Sequence, residues 1–172
     1  MKETDYIFKL AEKQYYFELD FKEKLTTKLQ LYIVAITGMV SFLSKIWIEK
    51  GQVSKCCEGL FIALFLISSL SLGYAIYCCC RSLIPYAWNV VPPAKDAEEF
   101  RVKLCEHYSG CVDSEEKVNE NVIGWAYDNY VKCNTINQKN NMVKSEYIYR
   151  ATIAIVCSGF FAFLLYMNPK MS

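Results

Sequence analysis

Residues 133–155 read CNTINQKNNMVKSEYIYRATIAI. The first half is rich in asparagine and carries charge. The second half opens an uncharged stretch, Ala151 to Pro169, 19 residues long. No proline or glycine separates the halves, so nothing local stops a helix between them. Val118, Val122, Trp125, Asn129, Cys133, Ile136, Asn140, Val143 and Tyr147 recur at steps of three or four. That is the repeat of one helix face. The expectation is a single helix. It starts as a polar stalk of about nine turns and ends apolar enough for lipid.

Two further stretches share that character. Gly59 to Cys80 is uncharged for 22 residues, and Leu29 to Ser44 reaches Ile48 if Lys45 turns its ammonium outward. A helix rises about 1.5 Å per residue, so roughly 20 residues cross the hydrocarbon core. The competing reading is three buried helices of a water-soluble protein. The first 28 residues are charged throughout, so no signal peptide is expected.

The reading is therefore an all-α membrane protein with three transmembrane helices and cytosolic helical extensions. Residues 1–28 form a cytosolic amphipathic helix continuous with the first span, 29–48. A short external loop, 49–58, leads to the second span, 59–80. A cytosolic helical segment with the stalk, 81–150, leads to the third span, 151–168, and an external tail, 169–172. Positive charge sets the orientation. Six lysines precede the first span and nine Lys or Arg lie between the second and third. Only Lys45, Lys50 and Lys55 lie in or beside the short loop, and only Lys170 follows the last span. The N-terminus is expected inside and the C-terminus outside.

Within the extensions, Ile7, Leu10, Gln14, Phe17 and Phe21 make an apolar stripe at helical spacing. It serves either the chain's own packing or a contact between subunits. Pro85, Pro92 and Pro93 interrupt regular structure after the second span. Tyr86 and Trp88 suit a membrane–water boundary. A short helix is expected over 94–108 and a turn over 109–115, with Asp113 or Ser114 as N-cap.

Composition narrows the function. Lys plus Arg number 19 and Asp plus Glu 18, a net charge of +1. A nucleic-acid binder would carry a basic stripe, so none is expected as partner. There is one histidine, His107, and no nucleotide loop or nucleophile elbow. The acid pairs Glu98/Glu99 and Glu115/Glu116 are adjacent and point to different helix faces. No enzyme activity and no cofactor are expected. Cys105, His107 and Cys111, with Cys133, are too few and badly spaced for structural zinc, so no metal is expected. Cys56 and Cys57, neighbours in the external loop, could bond between molecules. Cys78 to Cys80 at the membrane edge read as small apolar residues or as acylation sites.

The spans hold no acidic residue, which speaks against an ion-coupled transporter. They do hold hydroxyls and small residues. Thr37, Ser41, Ser44, Ser68, Ser71 and Gly73 are candidates for a pore lining or for close helix contacts, with Ser69-x3-Gly73 a small-x3-small pair. Trp125, Asn129, Asn134, Asn137, Asn140 and Asn141 are candidates for a stalk or oligomer interface. A buried amide there could fix register. The plain alternative is a solvated helix face.

The segments KLAEKQYYFELDFKEKLTTKLQLYIVAITGMVSF, SLIPYAWNVVPPAKDAEEFRVKL and AYDNYVKCNTINQKNNMVKSEYIYRATIAI span most of the chain. Their order resembles small bacterial membrane proteins of about this length. It is broadly similar to the two- or three-span effectors of anti-phage systems, including the SLATT-type domains. The resemblance implies a multi-pass protein of the bacterial inner membrane. It would be a homo-oligomer that opens the membrane in abortive infection when a cytosolic protein partner or ligand acts on 81–150. The alternative is a membrane scaffold that recruits a cytosolic enzyme without conducting ions. No catalytic residue is carried over.

Overall fold

The computed structural model describes residues 3–48, 58–84 and 88–167. All regular structure among them is helical: α1 (Glu3–Ile48), α2 (Glu58–Leu83), α3 (Ala94–His107) and α4 (Ser114–Met167). The loop expected to be external, up to residue 57 with Cys56 and Cys57, the Pro85–Tyr86 exit, and the 169–172 tail lie outside the described residues.

The stretch that opened the sequence reading is continuous helix. α4 runs 54 residues through it without a proline. Its start is set locally. Asp113 has φ 70°, a left-handed conformation that aspartate tolerates better than most residues. Its carbonyl accepts from the Lys117 N–H at 3.1 Å. Glu115 and Glu116 then sit in the first turn, where the helix dipole favours negative charge. α3 begins after Pro93, whose carbonyl accepts from the Asp96 N–H at 2.9 Å.

Three helices, α1, α2 and α4, are long and apolar enough to cross a membrane. Their most apolar windows are only 17%, 22% and 33% buried within the chain. Leu70, Val34 and Val156 are 73%, 71% and 65% exposed. Helices of a water-soluble core would hide such side chains, whereas helices apolar all round suit lipid.

The chain divides into two compact units, one within Met1–Lys22 and Tyr86–Asn141, the other within Glu23–Pro85 and Met142–Ser172. α1 and α4 contribute residues to both. In the first unit, α1 buries Ala11, Tyr15 and Glu18, and α4 buries Val118, Cys133, Asn134, Asn137 and Asn141. The inward faces match the stripes read from sequence only in part: Val118 and Cys133 are buried, while the N-terminal stripe mostly faces out. Ile7, Leu10 and Phe17 are 41%, 52% and 60% exposed. On α4 the inward face passes through Asn137 and Asn141 rather than Ile136 and Asn140, a rotation of one residue. The cause is hydrogen bonding. Amides on that face reach backbone carbonyls of their neighbours, which an apolar side chain could not do.

In the second unit, α1 and α4 run parallel and α2 runs against them. Tyr32 meets Thr152 and Phe42 meets Tyr166, numbers rising together. Ser68 meets Ser158 while Arg81 lies over Tyr147, so α2 descends as α4 climbs. These contacts also bring the charged edges near Arg81 and Arg150 to one level. The uncharged stretches therefore begin together, as a flat bilayer requires. The seam is small: Ala75, Ala151 and Ala162 are fully buried, with Leu29, Leu72 and Leu165 around them.

Candidate functional site

The first unit is held by amides. Asn134 donates to the Ala11 carbonyl at 2.9 Å, and Asn141 donates to the Glu18 carbonyl at 2.9 Å. Both pairs are separated by 123 positions, so seven residues on α4 match seven on α1. Asn141 also donates to the Glu18 carboxyl at 2.8 Å, which uses both hydrogens of its amide. Asn137 closes a ring with Asn89. Its Oδ1 accepts from the Asn89 N–H at 3.1 Å, and its Nδ2 donates to the Asn89 carbonyl at 2.9 Å. Tyr15 Oη accepts from the Val91 N–H at 3.4 Å. The proline-flanked segment 88–93 is thereby fastened by side chains where no ladder exists to do it.

Aromatic contacts complete this unit. Tyr130 meets Phe8 and Tyr15 edge-on, each with centroids 5.6 Å apart. Burial first, then the charge of Glu12, pushes the Tyr130 hydroxyl above its ordinary pKa. Burial likewise pushes the Cys133 thiol up. Trp125 stacks on Phe100 at 5.5 Å and ties α3 to α4. Lys22 lies 4.3 Å over the Trp88 ring, a cation–π contact. Asn129 bonds only its own helix, donating to the Trp125 carbonyl at 2.8 Å. Asn140 is half-buried beside the inward face.

The second unit places its hydroxyls in two ways. Ser68 and Ser158 are fully buried, and each donates to the other's carbonyl at 2.9 Å. Tyr32 lies 2.6 Å from Thr152, whose one hydroxyl hydrogen goes to the Ile148 carbonyl. Tyr32 must therefore be the donor. Thr37, Ser41 and Ser44 face outward instead, donating to the carbonyls of Ile33, Thr37 and Val40 at 2.9, 3.0 and 2.8 Å. Ser44 joins Ser69 and Gly73 on an open groove of about 560 Å³ between α1 and α2. Ser71 lines a different groove, between α2 and α4. A Cβ added at Gly38 or Gly73 would meet no neighbouring atom within 4 Å.

The twelve sequence candidates thus fall into three sets. Asn134, Asn137, Asn141 and Ser68 are fastened inside the chain. Trp125, Asn129, Asn140 and Ser71 are half-buried. Thr37, Ser41, Ser44 and Gly73 are exposed. Glu18 and Asn89, both partners of the amides, were not singled out in the sequence. The 4–3 spacing of Ala11, Tyr15 and Glu18 was the available signal for the first; Asn89 carried none. Among the described residues, no group of three His, Cys, Asp or Glu side chains is placed to hold a metal. Cys105 and Cys111 are exposed and Cys133 is buried.

No family model, curated protein or solved structure matches the chain.

Proposed function

We propose that the chain is a non-enzymatic effector of the bacterial inner membrane. It would oligomerise and permeabilise or depolarise that membrane in anti-phage defence, when a cytosolic partner or ligand acts on 81–150. The orientation in this reading has the N-terminus and 81–150 inside and the C-terminus outside. One observation carries it. The small residues Ser44, Ser69 and Gly73 line a groove that the chain's own helices leave open. Glycine and serine in a span serve close helix approach. Here nothing within the chain approaches Gly73, so a second copy is the natural neighbour. Three spans cannot enclose a pore alone, and copies meeting there would assemble one. The outward Thr37 and Ser41 hydroxyls are satisfied by their own helix and can line a wet path or face lipid.

The test is the mass of the detergent-solubilised particle together with flux from liposomes. A homo-oligomer that leaks, and a Gly73→Leu variant that is monomeric and silent, are expected. A monomeric wild type, or no loss of membrane potential on induction with its neighbouring genes and phage, overturns the proposal.

A scaffold is the second reading, and a specific observation favours it. Asn134 lines a cleft of about 160 Å³ with Ile7, Leu10, Gln14, Val131 and Gln138. Its amide oxygen is buried without a hydrogen-bond partner. A docking protein helix could cover the exposed Ile7 and Leu10 and supply that donor. Co-purification of a stable hetero-complex with silent liposomes would select this reading over the pore.

A further inference from the structure

The second groove of the membrane-spanning unit differs from the first in having a cation at its mouth. It lies between α2 and α4, encloses about 440 Å³, and is walled by Leu70, Ser71, Ile153 and Cys157. Tyr74 and Arg150 also line it. Arg150 stands one residue before the uncharged stretch, at the polar end. Leu70 and Cys157 lie about two turns further along their helices, inside it. The groove therefore has one charged end and one apolar end.

The charged end is organised. Arg150 pairs with Glu146 one turn away. Tyr74 lines the groove beside Arg150. A guanidinium has five N–H donors, more than one carboxylate uses. Arg150 and Arg81 both approach the Tyr147 ring, at 6.0 and 5.6 Å from its centroid. Arg150 is the cation that lines this end, one residue before the uncharged stretch, and its pairing with Glu146 leaves guanidinium N–H groups for a further acceptor.

We propose that this groove binds one anionic phospholipid, its phosphate held by Arg150 and Tyr74 and one acyl chain lying along Leu70, Ile153 and Cys157. Basic pockets between spans at a membrane edge are the setting in which anionic headgroups bind. Along the apolar wall a helix of a second copy would bring no acidic residue, since the spans carry none. Free phosphate would find Arg150 but gain nothing from the apolar wall. Glu146 is the neighbour of the wrong sign. The phosphate either displaces it or takes the other edge of the guanidinium, so removing its charge should help binding. The proposal needs the membrane reading but not the pore. A protein that never leaks can still hold this lipid.

The experiment is native mass spectrometry of the full chain released from nanodiscs of mixed phosphatidylglycerol and phosphatidylcholine. One retained phosphatidylglycerol per chain is expected, with phosphatidylcholine lost. Arg150→Gln should retain phosphatidylglycerol about tenfold less, one charge-assisted contact of about 1.4 kcal/mol. Glu146→Gln breaks the same ion pair but should retain as much or more. That separates lipid binding from a general loosening of the helix. Cys157→Trp, which fills the apolar wall and leaves Arg150 in place, should also lose the lipid. Equal retention of the two lipids, or equal retention by wild type and Arg150→Gln, would overturn the site. So would displacement of the lipid by millimolar glycerol phosphate.

Discussion

Asn137 and Ser68 are both fully buried polar residues on inward helix faces, and they solve different problems. Asn137 belongs to a unit whose helices meet through amides aimed at backbone. Ser68 belongs to one whose helices meet through alanines and paired hydroxyls. The difference follows from what surrounds each unit in the membrane reading. In water the hydrophobic effect drives helices together, and buried amides then choose the register. In lipid the tails are as apolar as leucine, so that drive is missing. Small residues must bring backbones close enough for dispersion and hydrogen bonds to hold them. A seam of asparagines would be expensive there, while a seam of alanines would specify little in water.

The largest effect expected on this contrast is at Asn141. Asn141→Leu leaves the buried Glu18 carboxyl without its amide, which should destabilise the first unit by about 2–3 kcal/mol. Adding Glu18→Leu should recover most of that, because replacing both partners with apolar groups removes the unmet demand. Alkylation of Cys133, buried in the same unit, reads the opening. Its raised pKa keeps the thiol protonated, so it should react slowly until the unit opens, while exposed Cys105 reacts at once. A double variant no better than the single would show that these seam positions are not coupled.

Asn137→Ala comes next. It strips the Asn89 N–H and carbonyl of their partner together, a loss of about 1–3 kcal/mol. The damage should stay local. Protease cleavage near 88–93 is expected to rise, with Cys133 protection falling less than in Asn141→Leu. In the second unit the matching change is smaller. Ser68→Ala should cost about 0.6 kcal/mol, the average of hydrogen bonds between spans, measured by denaturation in mixed micelles. If Ser68→Ala proved as damaging as Asn137→Ala, the two seams would not differ in kind.

Sequence exposed one of these seams better than the other. The apolar stretches of α2 and α4 were readable from length and missing charge alone, because lipid imposes a crude requirement that composition meets. The uninterrupted α4 was readable because neither proline nor glycine interrupts residues 133–155. The inward faces were harder to read. Helical spacing carried the stripe through Ile136 and Asn140, while Asn134, Asn137 and Asn141 were read as a second face with no partner assigned. It left Ile7, Leu10 and Phe17 open between the chain's own packing and a subunit contact, and they are exposed within the chain. An amide seam depends on where neighbouring carbonyls lie, and spacing does not carry that. Likewise Thr37 and Ser68 are the same chemistry on uncharged stretches of helix. Only the fold separates the hydroxyl that bonds its own helix from the one that bonds its neighbour.

α3 offers a third case, a helix with no buried residue that meets α4 through the Phe100–Trp125 stack. Local terms should weigh more in its stability, and one of them titrates. Arg101 donates to Glu98 at 2.6 and 2.8 Å, and that hydrogen bond holds the Glu98 carboxyl below its ordinary value. A carboxyl whose folded pKa is depressed stabilises the folded state above its unfolded pKa. The contribution fades as pH falls through the folded value. Glu98 is fully exposed, so water and salt screen the pair. The expected loss is therefore small and confined to α3. Below the usual carboxylate range, amide exchange should quicken over residues 98–105 while residues around Asn137 stay protected. Adding salt at neutral pH should do the same in miniature. Glu98→Gln should reduce both sensitivities to what the exposed Lys95–Glu99 pair leaves, with the amide-held seam unchanged because no part of it depends on the Glu98–Arg101 pair.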